Sequence, residues 1–154
     1  MVLRRETRRR GAVAVAATAA PAVVWLAAVP IGGLDIVASM PAPATPGTAA
    51  RHAVTVGLPA VVVAAATASL AGWVLFSLLE RLTPLAGPVW LGVALPAFIL
   101  SLAGPFMATT TAAMLALAGM HLAVAAVLVP GLALSWQRSW PRDGGARLMR
   151  VGGR

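Results

Sequence analysis

A chain of 154 residues that is 60% apolar and 10% charged holds more apolar matter than a water-soluble domain of this size can bury, so its natural solvent is lipid. Its net charge of +8 comes from twelve arginines, with no lysine, against four acids; the arginines flank apolar runs instead of forming one basic face, which argues against nucleic acid as a partner. Without cysteine there are no disulfides, thiolate metal sites or thiol nucleophiles.

Residues 1–10 hold Arg4, Arg5, Arg8, Arg9 and Arg10 and read as a flexible basic tail. The uncharged run over 11–34 follows, and about 20 helical residues at 1.5 Å each match a hydrocarbon core of roughly 30 Å, so this is the first spanning helix. A secretory signal peptide is the competing reading, with Ala42-Pro43-Ala44 as its small-residue cleavage site, but the apolar run exceeds the usual signal length. The segment from Met40 to Arg51, with Pro41, Pro43, Pro46 and Gly47, has the composition of an extended, exposed loop.

A second uncharged run ends at Glu80-Arg81 and predicts a helix over 57–79, with Pro59 tolerated in its first turn. Residues 82–137 contain no Asp, Glu, Lys or Arg, and one helix of that length would reach about 84 Å, nearly three bilayers. The chain must therefore turn inside it. Gly104-Pro105 is the natural break, because proline disfavours helical geometry in the residue before it and brings no N–H. Helices over 85–103 and 106–134 result, followed by a second flexible basic tail over 138–154. Short second and third connections force antiparallel neighbours, so the expected fold class is all-α: one integral-membrane, four-helix up-down-up-down bundle.

Arginine counting orients it. With both termini in the cytoplasm, eleven arginines stay inside and only Arg51 crosses, which places the protein in the cell (inner) membrane as a multi-pass chain. Trp73, Trp90, Trp136 and Trp140 then fall in the cytoplasmic half and read as interfacial anchors. Small residues at four-residue spacing, Ala64, Ala68 and Gly72 in helix two and Ala108, Ala112 and Ala116, then Gly119 and Ala123, in helix four, permit close helix approach within one chain or between copies.

Polar residues inside the apolar runs are the candidates for chemistry. His121 lies near the middle of helix four, and eleven residues at 100° each bring Thr110 to within about 20° of the same face. That face suggests a proton relay or cation path past Thr109, Thr110 and Thr111; the competing reading is an imidazole bonded to a neighbouring helix, with the threonines bonding their own carbonyls. Asp35, at the outer end of helix one, is a candidate ligand contact or an ion-pair partner of Arg51. Glu80, at the unfavourable end of its helix dipole, calls for a cationic partner such as an arginine. Enzyme motifs, paired buried carboxylates and a zinc ligand set are all missing from the sequence, so neither catalysis nor a cofactor or metal is expected.

The run through Leu78-Leu79-Glu80-Arg81-Leu82-Thr83, Trp90, Ser101-Leu102-Ala103-Gly104-Pro105, Thr109-Thr110, Met120-His121-Leu122-Ala123-Val124-Ala125 and Pro130, with Gly33-Leu34-Asp35 near helix one, resembles a family of small bacterial four-helix integral membrane proteins known as a domain of unknown function. The similarity spans roughly residues 11–136, and its most specific elements are Glu-Arg, Gly-Pro and Met-His. It implies the four-helix fold and no activity. The expected role is a non-catalytic interaction or accessory subunit, with the lipid bilayer, anionic lipid at the arginine tails, and a second copy or another membrane protein as partners. The alternative is a small transporter or channel component using the polar face of helix four.

Overall fold

The computed structural model describes residues 2–41 and 51–139, with side chains described over 8–39 and 52–135. Four helices form the body: α1 (Val2–Leu26), α2 (Leu58–Leu82), α3 (Ala86–Ser101) and α4 (Thr111–Ser139). Two short strands, β1 (Val37–Pro41) and β2 (Arg51–Thr55), lie between α1 and α2. Four segments, 8–31, 58–82, 86–107 and 111–135, are each long and apolar enough to cross a membrane.

Helix α1 begins nine residues earlier than its apolar run, so residues 2–10 continue the helix and are not a loose tail. Arginine and glutamate are good helix formers, and Arg10 is held by a partner on α2. At its other end the helix widens into a π turn over Ala27–Ile31, where Gly32 donates to the Ala27 carbonyl at 3.0 Å. Pro30, which brings no N–H to the Leu26 carbonyl, accounts for this change of register.

The flanks of the expected exposed loop are ordered instead. β1 and β2 pair antiparallel, Val37 opposite Thr55 through Pro41 opposite Arg51, and residues 42–50 lie outside the described residues. The β-branched Val37, Val54 and Thr55 favour this pleated pairing. Ala108 bridges to Ala38 on the other edge of β1, and the Thr109 N–H donates to the Val37 carbonyl at 3.0 Å. Helix α4 accordingly starts at Thr111, five residues later than the apolar pattern suggests, because residues 105–107 form a tight 3-10 turn and 108–109 are taken up by the ribbon. The break at Gly104-Pro105 is where the sequence places it.

Contacts set the helix directions. Arg10 near the start of α1 meets Glu80 near the end of α2, while Trp25, late in α1, donates to the Val56 carbonyl just before α2. Val13 lies against Gly131 and Val24 against Gly119, so α1 and α4 also run in opposite senses. Trp90 touches Val129 and Gly104 lies near His121, which does the same for α3 and α4.

The buried stripe of α2 is Val61, Ala65, Ser69, Gly72 and Phe76. Ala64 and Ala68, expected at a helix contact, are exposed; only Gly72 of that trio is inside, where an added Cβ would come within 3.0 Å of Leu128 and 3.3 Å of Trp90. Each residue turns a helix by 100°, so a one-residue difference in stripe moves the contact face by that angle. On α4 the buried line is Ala113, Leu117, Met120, Leu128 and Leu132; Ala116, Gly119 and Ala123 are half-buried beside it and Ala112 is exposed.

Helices α1 and α4 approach closely at Gly131, where a Cβ would stand 2.5 Å from a Val13 methyl. Valine is stiff at χ1 in a helix and cannot swing clear. Gly131→Ala is therefore expected to destabilise the bundle by about 1–3 kcal/mol, the usual cost of overpacking. Adding Val13→Ala is expected to restore most of it, as read from unfolding midpoints in detergent; equal loss with and without Val13 would contradict this packing.

Candidate functional site

The strongest polar feature is a charged cluster at the end of the bundle where α1 begins and α2 ends. The Arg10 guanidinium grips the Glu80 carboxylate with two parallel hydrogen bonds, Nη1 to Oε2 and Nη2 to Oε1, the latter at 2.8 Å. The side chains are 13% and 22% exposed, so the pair is mostly withdrawn from solvent. A bidentate fork is the strongest geometry such a pair can adopt. The carboxylate, placed unfavourably against its own helix dipole, thereby gains the cationic partner its position demands.

Arg10 has a second contact, its guanidinium carbon 5.5 Å from the centre of the Phe76 ring, a cation–π arrangement. Phe76 in turn meets Trp90 edge to face, with ring centres 5.7 Å apart. The Trp90 indole N–H then donates to the Val129 carbonyl at 3.2 Å. A single chain of contacts runs from α1 through α2 and α3 to α4. Trp90 is 3% exposed, so it is a core residue and not the interfacial anchor its position suggested. Trp73 is half-buried, and the side chains of Trp136 and Trp140 lie outside the described residues.

His121 sits half-buried on α4. Its Nδ1 is 2.8 Å from the Leu117 carbonyl one turn back; a carbonyl only accepts, so Nδ1 carries the proton and donates. Nε2 faces the turn before α4, 3.9 Å from where a Cβ on Gly104 would stand. The bond is to its own helix, where a neighbouring helix was the expectation.

The hydroxyls of Thr109 and Thr110 have partners of their own. Thr110 precedes α4 as its cap, its hydroxyl accepting from the Ala113 N–H at 3.2 Å, while the Thr109 hydroxyl donates to the Val37 carbonyl at 3.2 Å. Both side chains serve the start of α4, where the Thr110 carbonyl also accepts from the Met114 N–H at 2.9 Å. Asp35 is exposed beyond the π turn. Its expected partner Arg51 has its side chain outside the described residues.

Sequence reasoning missed three groups. Arg10 was assigned to a tail, although Glu80 advertised the need for an arginine. Trp25, whose indole N–H donates to the Val56 carbonyl at 2.9 Å, anchors the π turn to the entry of α2. Ser69, buried in the middle of α2, has a hydroxyl with no partner among the described residues. Among the described residues no three His, Cys, Asp or Glu side chains converge as metal ligands would.

The family model described as a family of unknown function, DUF6069, matches residues 2–138. The chain belongs to that family. Its match takes in all four helices, the ribbon and the Arg10–Glu80 pair, so the cluster lies within the part that defines membership. No curated protein and no solved structure matches the chain.

Removing one partner of a largely buried pair leaves an uncompensated charge. Arg10→Met or Glu80→Leu alone is expected to lower stability by on the order of 2 kcal/mol, below the 3–5 of fully buried pairs because this one is partly exposed. The double change Arg10→Met with Glu80→Leu is expected to lose less than either single change, since no unpaired charge remains. Denaturation of the three variants in the same detergent checks this, and losses that simply add would contradict the coupling.

Proposed function

We propose that this DUF6069 protein crosses the inner membrane four times, up-down-up-down with both termini in the cytoplasm, and serves there as a non-catalytic interaction or accessory subunit. The observation that carries the role is the fate of the polar side chains. Arg10 and Glu80 are spent on each other, and His121 is bonded within its own helix. Thr109 and Thr110 hold the start of α4, while Trp25 and Trp90 tie elements together. These bonds serve packing and helix capping. The outward faces of the helices are apolar, with Val63, Leu70 and Val74 on α2 and Leu95, Ile99 and Leu100 on α3 all more than half exposed. Such surfaces suit lipid and the helices of other membrane proteins, a second copy included.

Orientation is supported by the arginines. Arg81 and the basic start of α1 share one end of the bundle, and carrying eleven arginines across a membrane to keep one inside is the costlier arrangement. At that end the basic groups suit anionic lipid headgroups, an attraction of about 1 kcal/mol per arginine near the surface.

The transporter reading depends on His121. In proteoliposomes the accessory reading predicts no selective proton or cation flux above that of empty vesicles, and the same background for His121→Gln. A selective flux abolished by His121→Gln in a normally folded protein would replace the accessory role with transport.

A further inference from the structure

Two groups of buried apolar side chains lie along the bundle. One cluster, built on Ala17, Phe76, Trp90, Leu128 and Leu132, fills the end near Arg10 and Glu80. Another, built on Ile36, Val61, Ala113, Leu117 and Met120, fills the end near the ribbon. Pro21 and Ser69 belong to neither, yet both are less than 2% exposed.

Their placement follows from the clasp. Pro21 lies eleven residues beyond Arg10 on α1, and Ser69 lies eleven residues before Glu80 on the antiparallel α2. Eleven residues rise about 16.5 Å and return to within about 20° of the starting face. Both residues therefore come back to the α1–α2 seam at the same level.

Each of the two residues gives this layer a hydrogen-bond need. Pro21 has no N–H, so the carbonyl of the fully buried Ala17 lacks the donor that a helix normally supplies four residues on. The Ser69 hydroxyl is buried with no partner among the described residues. The hydroxyls of Thr18, Thr67 and Ser77 each donate to the carbonyl four residues back, a bond Ser69 does not make. Polar groups shut away from water are costly when left unbonded, and buried waters occupy sites where such groups converge.

We propose that the Pro21–Ser69 layer is a binding site for a single water molecule, which donates to the Ala17 carbonyl and accepts from the Ser69 hydroxyl. The site is independent of the accessory role argued above. It places one polar bridge between two apolar clusters, joining α1 and α2 midway along their seam.

Solid-state NMR of the isotopically labelled full chain in phospholipid vesicles tests it by transfer of magnetisation from water. Transfer to Ser69 and to the Ala17 carbonyl is expected to be several-fold faster than to Phe76 and Leu132, and to be lost at Ala17 in Ser69→Ala. Transfer at Ser69 as slow as at Phe76, or unchanged at Ala17 in Ser69→Ala, would overturn the site. So would a hydroxyl found bonded to the Ala65 carbonyl without water. A second measurement uses Pro21→Ala, which restores an N–H to the Ala17 carbonyl. Ser69→Ala is expected to lower the unfolding midpoint more in the natural background than alongside Pro21→Ala, and equal shifts in both would count against a shared water.

Discussion

The contact between Arg10 and Glu80 sets the register of this bundle. Glu80 is the only acid between Asp35 and Asp143, and its place at the end of α2 leaves it unfavourable unless a cation reaches it. Arg10 reaches it from the neighbouring helix with a two-pronged grip, which fixes the depth of α1 against α2 and the rotation of both. Phe76 lies one turn before Glu80, under the same guanidinium, and hands the contact on to Trp90 and so to α4. Lipid removes most of the hydrophobic drive between helices, so a polar clasp of this kind, with small residues such as Gly72 and Gly131 allowing close approach, specifies which faces meet.

The far end is organised differently. There the α1–α2 connection folds back as a ribbon, the α3–α4 turn pairs with it through Ala108 and Thr109, and Trp25 ties it to the π turn. Backbone groups in that region find partners in one another, as they must near an apolar medium where unbonded amides are expensive. One end is held by charge and aromatic contacts, the other by backbone pairing. His121, Thr109 and Thr110 belong to the second arrangement, where their side chains bond to backbone groups of the chain.

Much of the fold is legible in the sequence because helix length and charge exclusion are coarse, strong signals. The start of α2 to within one residue, the break at Gly104-Pro105 and the need of Glu80 for a cation can all be read from local chemistry. What is not legible depends on contacts between distant segments. The helical start at Val2 rests in part on Glu80, seventy residues beyond Arg10, and the delayed start of α4 rests on β1. The buried stripe of α2 differs by one residue from the small-residue pattern, because alanine is so abundant that composition points to several faces equally well. Trp90 shows the same limit: tryptophan suits both a membrane interface and a core with a carbonyl acceptor, and only the position of Val129 decides between them.

The central claim is that the Arg10–Glu80 end faces the cytoplasm and the ribbon end faces outward. The chain has no cysteine, so single cysteines can report it without background. In intact cells treated with a membrane-impermeant maleimide, the account predicts labelling of Ala53→Cys on the ribbon, and labelling of Leu82→Cys at the end of α2 only after the membrane is opened. Labelling of Leu82→Cys in intact cells, with Ala53→Cys protected, would contradict it.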